Sequence, residues 1–131
     1  MESGNIQERP RRGPILVVDD EKETLAFLRE FLLHIGFSNI VTAGSGREAL
    51  RRLEETSPRL VLLDYRLPDL NGLEVLKQIK ETRPHLPVIM MTAYPNTTGI
   101  EGIIQRGAFD LVLKPLDLLY LEQAVMTGVA R

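Results

Sequence analysis

With 131 residues, 16 of them basic and 18 acidic, the chain carries a net charge of −2, too weak a field to draw it to nucleic acid or anionic lipid. Its 44% hydrophobic and 26% charged residues are those of a single globular domain large enough to bury its own core. The absence of cysteine excludes disulfides, thiolate metal sites and a thiol nucleophile; no apolar run approaches the ~20 residues of a membrane helix, and residues 1–13 are too polar for a secretory signal, so a cytoplasmic location with no membrane contact is expected.

Residues 1–13, MESGNIQERPRRG, follow neither the helical nor the strand period and are expected to be a mobile tail, with the folded domain running from 14 to 131. Ile15-Leu16-Val17-Val18 is a continuous apolar run, the pattern of a strand covered on both faces, and Asp19-Asp20 ends it. Leu25, Leu28, Leu32 and Ile35 recur at helical spacing, and Gly36 suits the left-handed position after a helix. Ile40-Val41 predicts a second strand of edge character. Ser45 with Glu48 makes a capping box for a helix burying Ala49, Leu50 and Leu53.

Leu60 to Leu63 predicts the third strand, closing on Asp64. After a loop through Pro68, Asn71 is the N-cap of a helix burying Val75, Leu76 and Ile79, with Glu74 three residues on. Val88-Ile89-Met90-Met91 predicts strand four, closing on Thr92. Ile100, Ile103 and Ile104 mark a short helix that stops near Gly107. Leu111-Val112-Leu113 predicts strand five, closing on Lys114-Pro115, and the last helix starts near Asp117 and buries Leu118, Leu121 and Val125. Five strands alternating with five helices imply a parallel sheet with right-handed crossovers and helices on both faces, an α/β sandwich of three layers.

In such a sheet ligands bind beyond the carboxyl ends of the strands. The residues that terminate the central strands are Asp19-Asp20, Asp64, Thr92 and Lys114: three carboxylates, a hydroxyl and an ammonium on one edge. Two carboxylates ~5 Å apart at an effective dielectric of ~20 repel by roughly 3 kcal/mol, so the cluster requires proton uptake or a cation. Hard oxygen donors without imidazole or thiolate favour Mg²⁺, which keeps several waters and shares its sphere with a phosphate. His34 and His85 stand at no metal-ligand spacing and are expected on the surface. No Walker-type phosphate loop is present, and no Ser-His-Asp or Cys-His set; the remaining candidate nucleophile is a carboxylate that would form an acyl phosphate.

From about Pro14 to the end the sequence resembles a two-component response-regulator receiver domain, through ILVVDDE, LVLLDYRLPDLNGLEVL, PVIMMTA and GAFDLVLKP. The GAFD-x-x-x-KP segment and the loop after Asp64 are most similar to the receivers of nitrogen-regulation-type transcriptional activators. The resemblance implies a flavodoxin-like (βα)5 fold with sheet order 2-1-3-4-5. It implies that Asp64 accepts a phosphoryl group from a phosphohistidine on a sensor histidine kinase or a histidine phosphotransfer protein. Asp20 and Asp64 would ligate Mg²⁺ directly, Asp19 largely through water, and the Arg66 backbone carbonyl would add an oxygen. Lys114 would pair first with Asp64 and then with the phosphoryl oxygens, and Thr92 would swing its hydroxyl onto the phosphoryl group. The Lys114-Pro115 bond is expected to be cis. Such a domain promotes its own phosphorylation and dephosphorylation without being a turnover enzyme.

Leu111 departs from the family, which usually has Tyr or Phe there as a relay that rotates inward. Arg66 and Tyr94 are expected at the rim of the phosphoryl site, where they would shield the acyl phosphate, and Pro95 stiffens the loop beyond. Leu119 and Tyr120 are expected to face away from Leu118, Leu121 and Val125, forming with the fourth helix and fifth strand a surface for a second copy or an output domain. Two other readings stay open: a pseudo-receiver that binds without phosphorylation, and an aspartyl-nucleophile phosphatase. The latter places a second acid where this chain has Arg66. The fifth helix is expected to end at Arg131, with no DNA-binding module after it and no direct contact with nucleic acid.

Overall fold

The computed structural model describes residues 13–93 and 102–131. Most of the expected tail lies outside the described residues, as do Tyr94, Pro95 and Ile100. The elements run β1 (Ile15–Val18), α1 (Lys22–His34), β2 (Ile40–Ala43), α2 (Gly46–Thr56), β3 (Leu60–Asp64), α3 (Gly72–Thr82) and β4 (Val88–Thr92). A helical segment at 102–105 (α4), β5 (Asp110–Leu113) and α5 (Leu118–Val129) complete the chain. All pairings in the five-stranded sheet are parallel, and its order is β2-β1-β3-β4-β5, so β2 is an edge strand as its weaker pattern suggests.

Side-chain alternation divides the core in two. Leu16, Val18, Val61, Leu63, Val88 and Met90 pack with Ala49 and Leu53 of α2, Val75, Leu76 and Ile79 of α3, and Ile103 of α4. Ile15, Val17, Leu60, Leu62, Ile89, Met91 and Val112 pack on the opposite face with Leu28 and Leu32 of α1 and with Leu121, Ala124 and Val125 of α5. Strands covered on both faces therefore read as unbroken apolar runs. Leu25, Ile35 and Leu50 are only partly buried at the margins of these clusters. Glycines take the positive φ that ends two helices, 113° at Gly36 and 104° at Gly107.

Two local expectations are corrected. Ser45 accepts the Glu48 N–H at 3.1 Å, but the Glu48 carboxylate returns to the N–H of Gly44 (2.7 Å), one residue upstream of the reciprocal partner of a capping box. Leu118 is 38% exposed and does not share the buried stripe of Leu121 and Val125. It is the first residue of α5, beside an edge strand with no further strand to cover it, and Leu116 packs against the core in its stead.

Candidate functional site

Register places the polar ends of the strands side by side. Val18 of β1 pairs with Leu63 of β3, so Asp19 leaves the sheet level with Asp64; Thr92 pairs with Leu113, so Lys114 follows directly beside it. The backbone keeps this alignment past the strand ends: the N–H of Asp19 donates to Ala43 O (3.1 Å), that of Tyr65 to Met91 O (2.8 Å) and that of Lys114 to Thr92 O (2.8 Å). Asp19, Asp64 and Thr92 are buried polar residues, with exposures of 0, 6 and 3%, whereas Asp20 is exposed.

Lys114 reaches two carboxylates from the edge strand. Its Nζ donates to Asp64 Oδ2 at 3.4 Å, the pair that the resemblance implies, and also to Asp19 Oδ2 at 2.7 Å, a closer partner that the resemblance does not name. An acid with no exposed surface needs a counter-charge more than one that opens to the sheet edge. The other Asp19 oxygen accepts the Glu21 N–H (3.0 Å) at the N-terminus of α1. The Lys114-Pro115 bond is cis, as expected.

The electrostatics follow from this packing. Burial, then the adjacent Asp19, raise the Asp64 carboxyl to about 6, against the opposing charge of Lys114, the Arg66 backbone N–H and the Lys114 hydrogen bond. Burial works against the Lys114 charge, but the Asp19 hydrogen bond and the charges of Asp64 and Asp19 hold its ammonium above the ordinary lysine range. Asp19, Asp20 and Asp64 each offer an oxygen within 4.8 Å of the others, a hard donor set with one exposed member, and these residues fit a magnesium ion.

The loop after β3 is held close under Asp64. Gly72 opens α3 with its N–H on Tyr65 O (2.8 Å), and a Cβ there would stand 2.6 Å from Asp64 O. Asn71 caps α3 by accepting the Leu73 N–H (2.7 Å). Arg66 is exposed, and Tyr94 lies outside the described residues. Leu111 is partly buried against the α2–α3 side of the core. Tyr120 is not simply surface: its hydroxyl donates to Asp110 Oδ1 (2.7 Å), which also accepts the Leu111 N–H (2.7 Å). Sequence reasoning assigned nothing to Asp69, whose carboxylate accepts the N–H groups of Gly46 (2.8 Å) and Arg47 (3.0 Å). These two partners are more than twenty positions away, beyond the reach of local capping patterns.

Residues 15–126 match the family model described as response regulator receiver domain. The chain is 37% identical over 116 residues to the transcriptional regulatory protein ZraR of Escherichia coli K12, covering 88% of this chain and 26% of that protein. It is 39% identical over 108 residues to the DNA-binding transcriptional regulator NtrC of the same organism, covering 82% and 23%. The crystal structure of the receiver domain of NtrX from Brucella abortus superposes with a TM-score of 0.82 at 34% identity, over 88% of this chain and 98% of that one. The chain thus spans about a quarter of the length of the curated relatives it matches.

Proposed function

This chain belongs to the response regulator receiver domain family of two-component systems, and we propose that it is a phosphoacceptor switch of the nitrogen-regulation type with Asp64 as the acceptor. The observation that carries the reading is the position of Lys114 Nζ, shared between Asp19 and Asp64 beside an oxygen cluster suited to a divalent cation. An Asp64 oxygen attacks the phosphorus of a phosphohistidine on a sensor kinase or phosphotransfer protein. The O–P bond forms as the P–N bond breaks, and the departing imidazole takes up a proton. Asp20, Asp64 and the Arg66 carbonyl would hold Mg²⁺, with Asp19, a member of the same oxygen cluster, acting largely through water. When bound, Mg²⁺ neutralises the carboxylates and the phosphoryl oxygens together.

Lys114 is placed to stabilise charge on the phosphoryl oxygens, and Thr92, at the end of the adjacent strand, to hydrogen-bond one of them. The readout runs through α4, β5 and α5, where Ile104, Leu113 and Leu119 are exposed apolar residues and the Tyr120 hydroxyl ties α5 to Asp110 of β5. That face takes a second copy or an output domain. Leu111 fills the relay position without an aromatic ring, and Arg66 and Tyr94 shield the acyl phosphate; an unchanged dephosphorylation rate in Tyr94→Ala would remove Tyr94 from that role. The location is cytoplasmic in this reading; no helix among the described residues is long and apolar enough to cross a membrane.

Titration with beryllofluoride and Mg²⁺ tests the switch. Saturable binding that Asp64→Asn abolishes is the expected result. Steady phosphate release from unrelated phosphate esters would instead favour the phosphatase reading, and no binding by the parent protein would favour the pseudo-receiver.

A further inference from the structure

We infer that Asp69 is a positioning residue for the metal-facing loop, clamping the segment that carries Arg66 to the first turn of α2. The inference rests on the reading of Asp64 and its neighbours as a Mg²⁺ site. The residues between β3 and α3 include the Arg66 carbonyl, a backbone oxygen whose place depends on how the whole loop is held. One end is fixed at Asp64 and Tyr65 by the sheet, the other at Gly72 by its N–H bond to Tyr65 O. Asp69 supplies a third anchor, and it does so across elements.

The first turn of a helix has N–H groups with no partner inside the helix. In α2 the N–H of Glu48 is taken by Ser45 Oγ (3.1 Å), a local cap. Those of Gly46 and Arg47 are taken by Asp69, whose two oxygens divide between them at 2.8 and 3.0 Å while Oδ1 also accepts the Leu70 N–H (2.8 Å). Loss of solvation pushes the Asp69 carboxyl up, but the N–H groups of Arg47, Gly46 and Leu70 and its own backbone together hold it below the usual carboxylate range. The ion pair with Arg47 Nε, at 3.9 Å and largely exposed, adds little.

The packing beneath this clamp is close. A Cβ on Gly46 would stand 2.8 Å from Leu70 Cβ and 3.1 Å from Val75 Cγ2, so the loop lies against the helix start where only glycine leaves room. The same helix start is tied to the other acid-bearing strand: Gly44 N–H donates to Glu48 Oε1 (2.7 Å), and Asp19 N–H donates to Ala43 O (3.1 Å). The exits of β1 and β3, which carry the carboxylates, are therefore braced outside the sheet through α2. A loop freed at Asp69 loses that brace on the Arg66 side alone.

A plain helix cap would affect stability only, and the variants separate the two roles. Asp69→Ala and Ser45→Ala each remove a cap from the same turn, but only the first releases the loop. Mg²⁺ is titrated into each protein without phosphodonor, following backbone amide shifts at Asp64 and Arg66 by NMR, with thermal unfolding recorded in parallel. Asp69→Ala is expected to raise half-saturating Mg²⁺ by about tenfold, Asp69→Asn by less, and Ser45→Ala by no more than about twofold despite its loss of Tm. Acetyl phosphate labelling should show the same split: slower in Asp69→Ala at low Mg²⁺ and equal to the parent at saturation. Equal shifts in Asp69→Ala and Ser45→Ala, or an unchanged midpoint in both Asp69 variants, would overturn the clamp. Parent protein that fails to bind Mg²⁺, or binds it equally well as Asp64→Asn, would instead overturn the site reading on which the clamp rests.

Discussion

Replacing Asp64 by Asn removes a charge from a place where the fold disfavours it, so the variant should be more stable than the parent above neutrality in the absence of metal. Burial and the adjacent Asp19 raise the Asp64 carboxyl from an ordinary 3.8 to about 6. A carboxyl whose folded value exceeds its unfolded value binds a proton more tightly in the folded state. Its contribution to stability therefore falls as pH rises from 3.8 through about 6. At about 1.4 kcal/mol per pH unit, the difference between the two values sets the penalty above pH 6 at about 3 kcal/mol.

Asn keeps an oxygen for the Arg66 N–H but leaves Lys114 one acid fewer, so a net gain of about 1–3 kcal/mol is expected, at roughly 3–6 °C of Tm per kcal/mol. Urea unfolding of both proteins with chelator present, near pH 8 and again near pH 4, measures it. The gain should be present at the higher pH and nearly absent at the lower. Mg²⁺ should narrow the gap by stabilising the parent through mass action. An Asn variant less stable than the parent at the higher pH, or a gain equal at both, would refute the reasoning.

Lys114→Met leaves Asp19 fully buried and without its cation, and should cost about 3–5 kcal/mol by urea unfolding, part of it recovered by adding Asp19→Asn. Gly72→Ala forces a methyl against Asp64 O and the Tyr65 backbone, so a loss of about 1–3 kcal/mol should accompany weaker Mg²⁺ binding in a titration. Leu119 is 69% exposed, so Leu119→Glu should change stability by less than about 0.5 kcal/mol yet prevent phosphorylation-dependent dimers in sedimentation. Phosphorylated parent that sediments as a monomer at high concentration would rule out self-association through this face.

The sheet was legible in the sequence because its central strands are covered on both faces, which writes them as apolar runs closed by a polar residue. The identity of those closing residues made the site legible as well, since parallel strands must deliver their carboxyl ends to one edge. β2 read short because Thr42 is only half-buried on an edge strand, and the strand continues through it to Ala43. Leu118 read as buried from helical spacing alone, which does not register that β5 is the last strand. The preference of Lys114 for Asp19 depends on how deeply each acid is buried, which strand patterns do not encode. Asp69 lay outside the sequence reading because capping rules look three or four residues along the chain, and this carboxylate caps a helix from a loop on another strand.

The most direct test of Asp64 as phosphoacceptor is intact-mass spectrometry of the protein incubated with acetyl phosphate and Mg²⁺, with Asp64→Asn alongside. A single phosphoryl adduct on the parent, lost on treatment with hydroxylamine as an acyl phosphate would be and absent from Asp64→Asn, is the expected result. An adduct that persists in Asp64→Asn, or a parent that stays unmodified at saturating Mg²⁺, would contradict it.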